Sequence, residues 1–320
     1  MFQTKIEIPK SNLNINYEHF IMTLGSCFAE NIGRKMQEVY FETDINPFGV
    51  LYNPVSISNS IKLLLKNTLF TEKDLFENRG LWQSFSHSSL FSATTAEKCI
   101  ETINDRFGKS AGFLQKTDYL LITFGTAWIY EERKSGSVVS NCHKLPANRF
   151  TRRRLTVEEI VSEYSALINE LFIKQPNLKL IFSVSPIRHW KDGAHENNVS
   201  KSTLLLAIDA LQKQFKQVHY FPAYEIQLDE LRDYRFYASD MLHPSEVAVD
   251  YIWQRFGETY FDEVTTRMKK EFEQLSADLS HRPLFPESVE FEKFTQSTLK
   301  KKIDLMDKYP FLAERLKSIK

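Results

Sequence analysis

Short, nearly unbroken apolar runs alternate with amphipathic stretches along most of this chain. That alternation limits the fold more than any other feature. The runs "FIMTLG" (20–25), "DYLLITFG" (118–125) and "LKLIFSVSP" (178–186) read as strands buried on both faces. Further strands read in "VYFETDINPFG" (39–49) and "VHYFPAYEI" (218–226). The stretch after Ser26 places Phe28, Ile32, Met36 and Val39 on one helical face. Helical patterns recur at 56–67, 96–110, 156–174, 200–215 and 245–261, and the third of these opens with a capping box, Thr156 to Glu159. Strands alternating with helices of this length predict a doubly wound parallel sheet with helices on both faces. Ligands of such sheets lie at the carboxyl ends of the strands. Those ends carry Ser26, Gly49, Gly125 and Ser185, which are expected to converge.

After residue 262 the chain becomes charge-rich and strand-poor, and "RPLFP" breaks it between helical pieces. The expected organisation is a domain over residues 1–262 and a helical appendage over 263–320. The appendage would pack on the core, on a protein partner, or on a second copy. Lys+Arg and Asp+Glu both number 41, so no global field draws in nucleic acid. The run "TRRRL" (151–155) reads as a solvated turn. No window approaches the ~20 apolar residues of a membrane span. The first residues lack the apolar core and cleavage site of a signal peptide. Cys27, Cys99 and Cys142 form neither a disulfide framework nor a metal-ligand spacing. These features predict a cytoplasmic protein with no membrane or nucleic-acid partner, no metal and no cofactor.

"TLGSCFAENIG" (23–33) places Ser26 in the turn where the first strand hands over to a helix. The position suits a helix cap, and it equally suits a nucleophile. A serine nucleophile needs a base, and the base an orienting group. "YASDMLHPSE" (237–246) offers both: Asp240 and His243, three apart, fit one turn in which a carboxylate holds one imidazole nitrogen. The same pair could instead cap the last helix. Cys27 reads as a packed thiol in preference to a nucleophile. His87, in the aromatic and hydroxyl-rich "WQSFSHSSLF" (82–91), lines a cleft or caps a turn. Arg188 and His189, after Ser185-Pro186, bind substrate oxygens or close a loop, and Trp128 and Trp190 stack on a sugar ring or wall a pocket.

Taken together, the strand-end serine, the glycines after later strands and the late Asp-x-x-His resemble the SGNH/GDSL hydrolase superfamily. "GSCFA" (25–29) resembles the signature of its GSCFA-domain family, as do "NPFGVLYNP" (46–54), "TFGTAWIY" (123–130), "NCHK" (141–144), "SPIRH" (185–189) and "ELRDYRFYASDMLHPS" (230–245). The resemblance covers residues 18–260. It implies a three-layer α/β/α, flavodoxin-like sheet and a serine esterase in which Ser26 is nucleophile, His243 base and Asp240 its partner. It further implies an oxyanion hole from the backbone N–H groups of Ser26 and Gly49. The superfamily's third block normally supplies an asparagine, but here it reads "GTAW" (125–128), which leaves Thr126 or Asn141 as substitutes. Two functions of different class follow. One is hydrolysis of a small-molecule or carbohydrate acyl ester, with acyl transfer open to the same machinery. The other is a non-catalytic binding or scaffold protein on the same fold, which the missing asparagine favours. A cysteine hydrolase using Cys27 is a third reading.

Overall fold

The computed structural model describes residues 4–317. Its strands are β1 (Phe20–Gly25), β2 (Glu42–Ile45), β3 (Phe76–Asn78), β4 (Leu81–Gln83), β5 (Tyr119–Phe124), β6 (Trp128–Glu132), β7 (Val138–Val139), β8 (Phe150–Arg154), β9 (Lys179–Val184) and β10 (Val218–Tyr220). Its helices are α1 (Cys27–Glu38), α2 (Pro54–Lys66), α3 (Ala96–Leu114), α4 (Val157–Lys174), α5 (Gly193–Gln214), α6 (Ala223–Glu225), α7 (Glu246–Tyr260), α8 (Glu263–Ser280), α9 (Val289–Lys308) and α10 (Ala313–Lys317). The central sheet has the order β10-β9-β5-β1-β2, with every neighbouring pair parallel. The chain steps from β1 outward to β2, then crosses back to β5 on the other side of β1. That reversal opens a crevice at the carboxyl ends of β1 and β5, where β1 delivers Ser26. The three-layer, doubly wound architecture expected from the sequence is the one observed.

Each buried strand sends alternate residues into two cores. Met22 and Leu24 of β1, Leu120, Ile122 and Phe124 of β5, and Leu180, Phe182 and Val184 of β9 pack against α2, α3, α4 and α5. Ile21, Tyr119, Leu121 and Ile181 face the other way, toward α1 and α7. Both faces are apolar, so the strands read as continuous runs in the sequence rather than as alternating ones. Residues 263–317 add Met268, Phe272, Leu275, Leu305, Tyr309, Leu312 and Leu316 to that second core. Arg315 of α10 donates to the Tyr17 carbonyl at 2.8 Å and pairs with Glu42 at the start of β2 at 2.7 Å. Residues 318–320 of the expected appendage lie outside the described residues. Among the described residues, no helix is long and apolar enough to cross a membrane.

Two expectations are corrected. The run 218–226 stays a strand only to Tyr220, because Pro222 cannot continue the ladder and the chain turns into α6. "TRRRL" is no solvated turn: it lies in β8, which pairs with β6 in a separate antiparallel sheet β7-β6-β8. Arg152 pairs with Asp192, Arg153 with Glu131 and Glu159, and Arg154 with Glu196.

The loop after β2 is packed from behind by residues 84–91. His87 is 1% exposed, stacks on Phe48 at 4.6 Å between ring centres, and has Phe70 and Phe91 at 4.9 Å. Burial, helped by the nearby charge of His143, pushes its imidazole down to about 3. Unfolded, the same ring takes a proton near 6.5. Stability from this group is therefore complete above about pH 6.5. It is lost as pH falls toward 3, by about 1.4 kcal/mol per pH unit below 6.5. Thermal melts from pH 7 to 4.5 should show a steep fall for the native protein and a shallower one for His87→Leu. Equal slopes would refute the assignment. At the other end of the loop, Gly25 adopts φ +134°, and an added Cβ would meet the Thr123 carbonyl oxygen at 2.1 Å. Gly25→Ala should cost about 3 kcal/mol or more in urea unfolding, since both backbone strain and a backbone clash arise.

Candidate active site

β1 ends in a turn held from three sides. The Gly25 N–H donates to Asn46 Oδ1 at 2.9 Å, and the Gly25 carbonyl accepts from the Leu51 N–H at 2.8 Å. The Ser26 N–H donates to the Thr123 carbonyl at 3.2 Å, which extends the β1–β5 ladder by one rung. Ser26 is then the N-cap of α1, with its Oγ accepting the Phe28 N–H at 3.3 Å. The residue is 2% exposed.

The Asp-x-x-His turn forms as the spacing predicts. Asp240 Oδ1 accepts the N–H groups of Leu242 and His243, each at 2.9 Å, and Asp240 Oδ2 lies 2.5 Å from His243 Nδ1. The two backbone N–H groups, with the imidazole beside them, hold the Asp240 carboxyl down to about 2. Both side chains are half exposed, at 47% for Asp240 and 50% for His243. Met241, at φ +60°, makes the tight bend between them. An ionised carboxylate only accepts, so Nδ1 carries the proton and the Nε2 lone pair faces outward. Among the described residues no hydrogen bond joins His243 Nε2 to Ser26 Oγ.

Of the donors expected for an oxyanion hole, the backbone N–H groups of Ser26, Gly49 and Thr126 already have acceptors in this structure. The Ser26 N–H belongs to the ladder. The Gly49 N–H donates to the Asn46 carbonyl at 2.7 Å, and the Thr126 N–H to the Tyr52 carbonyl at 2.9 Å. The Thr126 hydroxyl lies 3.1 Å from Ser200 Oγ, and Asn141 Nδ2 donates to Ser89 Oγ at 3.2 Å. Among the described residues the Cys27 N–H, at the first position of α1, has no acceptor, and it belongs to the positive end of the helix.

Around this turn lie Tyr52, His189 and Lys201, with Arg188 next to His189 in the loop after β9. Tyr52 places its hydroxyl 3.7 Å from Cys27 Sγ and its ring edge-on to His189, at 5.3 Å between centres. His189 is pushed down to about 4, by burial first and then by the charge of Lys201; the charge of His243 also bears on it. Tyr52 thus links His189 to the Ser26–Cys27 turn. Trp128 sits at the margin, its ring covered by the Arg152 guanidinium at 4.2 Å. His87 is corrected: enclosed by phenylalanines, it lines no cleft.

Two residues were missed by the motif reading. Asn46, before Pro47, takes φ +43° and turns its amide to Gly25; asparagine is among the few residues that tolerate that conformation. Lys201, 1% exposed, donates from Nζ to the carbonyls of Gly125 and Ser185, both at 2.7 Å. It thereby ties the ends of β5 and β9 together. Its signal was present, because Lys201 falls in register with Leu204, Ile208 and Leu211 on the inward face of α5. Among the described residues no three or more His, Cys, Asp or Glu side chains gather as a metal site. A groove of about 1050 Å³ lies elsewhere, lined by Lys35, Asp250, Trp253, Lys269 and Glu273 among others.

Several solved structures resemble the chain. A carbohydrate esterase family 3 protein from Talaromyces cellulolyticus is 10% identical, with 79% of this chain and 99% of that one covered and a TM-score of 0.38. A family 3 carbohydrate esterase from Clostridium thermocellum is 14% identical, with 79% and 97% covered and a TM-score of 0.33. An acetyl xylan esterase from the rumen bacterium Butyrivibrio proteoclasticus is 12% identical, with 78% and 67% covered and a TM-score of 0.37. No curated protein matches the chain in sequence. The GSCFA family model matches residues 20–256, from the first residue of β1 into α7, and that of the GSCFA domain protein, C-terminal domain, matches residues 272–317. The strand-end serine and the Asp-x-x-His turn both fall within the larger match, and the chain belongs to the GSCFA family.

Proposed function

We propose that the protein is a serine-dependent acyl ester hydrolase, with Ser26 as nucleophile, His243 as general base and Asp240 as the group that orients it. The observation that carries this reading is the Asp240–His243 pair. A carboxylate held at about 2 fixes the imidazole by Nδ1 and leaves Nε2 able to take a proton. In acylation, Ser26 Oγ bonds to the acyl carbon while its proton passes to His243 Nε2. The alcohol oxygen then leaves with that proton. Water attacks the acyl-enzyme with the same base and restores Ser26. Esters suit this site because an alcohol leaves more readily than an amine. The Cys27 N–H at the α1 terminus is the donor best placed for the oxyanion, in place of the Ser26 N–H that the β1–β5 ladder uses. The exposed indole of Trp190, next to His189, offers a face on which a sugar ring could stack, consistent with an acylated carbohydrate as substrate. Transfer of the acyl group to a sugar alcohol uses the same steps with the alcohol in place of water.

A scaffold role is the second reading. It is favoured by the occupied N–H groups and by the absence of a Ser26–His243 hydrogen bond. Intact mass after exposure to a fluorophosphonate separates the two. The hydrolase reading expects one adduct, mapped to Ser26 and absent in Ser26→Ala. Its rate should fall about 10²–10⁴-fold in His243→Ala and Asp240→Asn. Folded native protein that takes no adduct would establish the scaffold reading instead.

A further inference from the structure

Two cations at the carboxyl ends of β5 and β9 have no carboxylate partner among the described residues. Lys201 is the buried one: its ammonium meets two carbonyl oxygens and the ring of Tyr224, 5.6 Å away, and no carboxylate. Two of its three N–H groups are used, which leaves one. Arg188, half buried three residues beyond Ser185, has no ion pair or side-chain hydrogen bond among the described residues. The other arginines that are not exposed are all ion-paired: Arg106, Arg149, Arg153, Arg154, Arg255 and Arg315. Arg188 and Lys201 are also close enough for the first to help burial push the second down to about 7. The nearby acids are engaged elsewhere. Asp192 pairs with Arg152, and Glu225 accepts from the Tyr220 hydroxyl at 2.7 Å. Lys201 can shed its proton when buried, but the Arg188 guanidinium cannot, so it is the cation that still lacks a partner.

We propose that Arg188 and Lys201 form an anion-recognising wall of the Ser26 site, so that its substrate is an ester carrying a carboxylate or a phosphate. A guanidinium with a free fork matches either group through two parallel hydrogen bonds. Lys201 lies behind it and adds its charge below about pH 7. The inference rests on the hydrolase reading for the word ester, but not for the anion.

The test therefore has a binding arm and a turnover arm. In the first, D-glucuronate, inorganic phosphate and D-glucose are titrated into the protein by calorimetry at constant ionic strength. Glucuronate or phosphate should bind, glucose should not, and Arg188→Gln should weaken the anion about ten- to a hundredfold. A response to glucuronate alone assigns a carboxylate, and one to phosphate alone assigns a phosphate. No binding of either anion to native protein, or equal binding to a folded Arg188→Gln, overturns the proposal. Should Arg188→Gln fail to fold, the native preference for anion over glucose still decides. In the second arm, 4-nitrophenyl hemisuccinate is compared with 4-nitrophenyl acetate. In Arg188→Gln the KM for the anionic ester should rise about tenfold relative to that for the neutral one, with little change in the ratio of kcat values. Anion binding without turnover of either ester would sink the hydrolase reading and leave the subsite standing. Turnover of both esters with no charge preference and no anion binding would do the reverse.

Discussion

At Gly25, β1 passes so near the Thr123 carbonyl that no Cβ fits between them. Everything at the candidate site follows from that contact. It lets the Ser26 N–H reach Thr123 and extend the ladder, which aims α1 out of the sheet with Ser26 at its head. It frees the Gly25 N–H for Asn46 and the Gly25 carbonyl for Leu51, so the loop after β2 is pinned to the same turn. From Leu51 the chain runs directly to Tyr52, whose carbonyl takes the Gly125 and Thr126 N–H groups. The ends of β1, β2 and β5 are thus joined by backbone hydrogen bonds, and Lys201 adds β9.

Rigidity of this kind explains why the oxyanion donors inferred from family resemblance are engaged. The bonds that hold the strand ends together are made by the N–H groups that a hole would use. What remains positive at the turn itself is the N-terminal end of α1. The dyad differs from this interior. Asp240 and His243 sit half exposed on a turn before α7, joined mainly to each other.

Much of the fold was legible because a strand buried on both faces has no polar face to break its run. The strand ends, and with them Ser26 and the Asp240–His243 turn, could be read from the same punctuation. What could not be read depended on contacts distant in sequence. His87 looked like a cleft residue because its partners Phe48 and Phe70 come from the loop after β2 and from the segment beyond α2. Three consecutive arginines looked like solvent-facing charge because their acids, Glu131, Asp192 and Glu196, lie on other elements. The oxyanion donors were harder to read for a subtler reason. Residue types name a donor, and only the backbone path shows where the donor already points.

The two roles that the sequence left open for Ser26 are compatible in energy. As a cap, its Oγ accepts one N–H at 3.3 Å, a long bond of a kind contributing about 1 kcal/mol to a helix. Turning the hydroxyl toward an imidazole gives that bond up and forms another of similar size. The Phe28 N–H so released stays at the positive end of α1, beside the Cys27 N–H. There, a developing negative charge on substrate would meet two unpartnered donors rather than one. In the proposed hydrolase, the cap would hold Ser26 at rest, and the same rotation that activates it would help to open the hole.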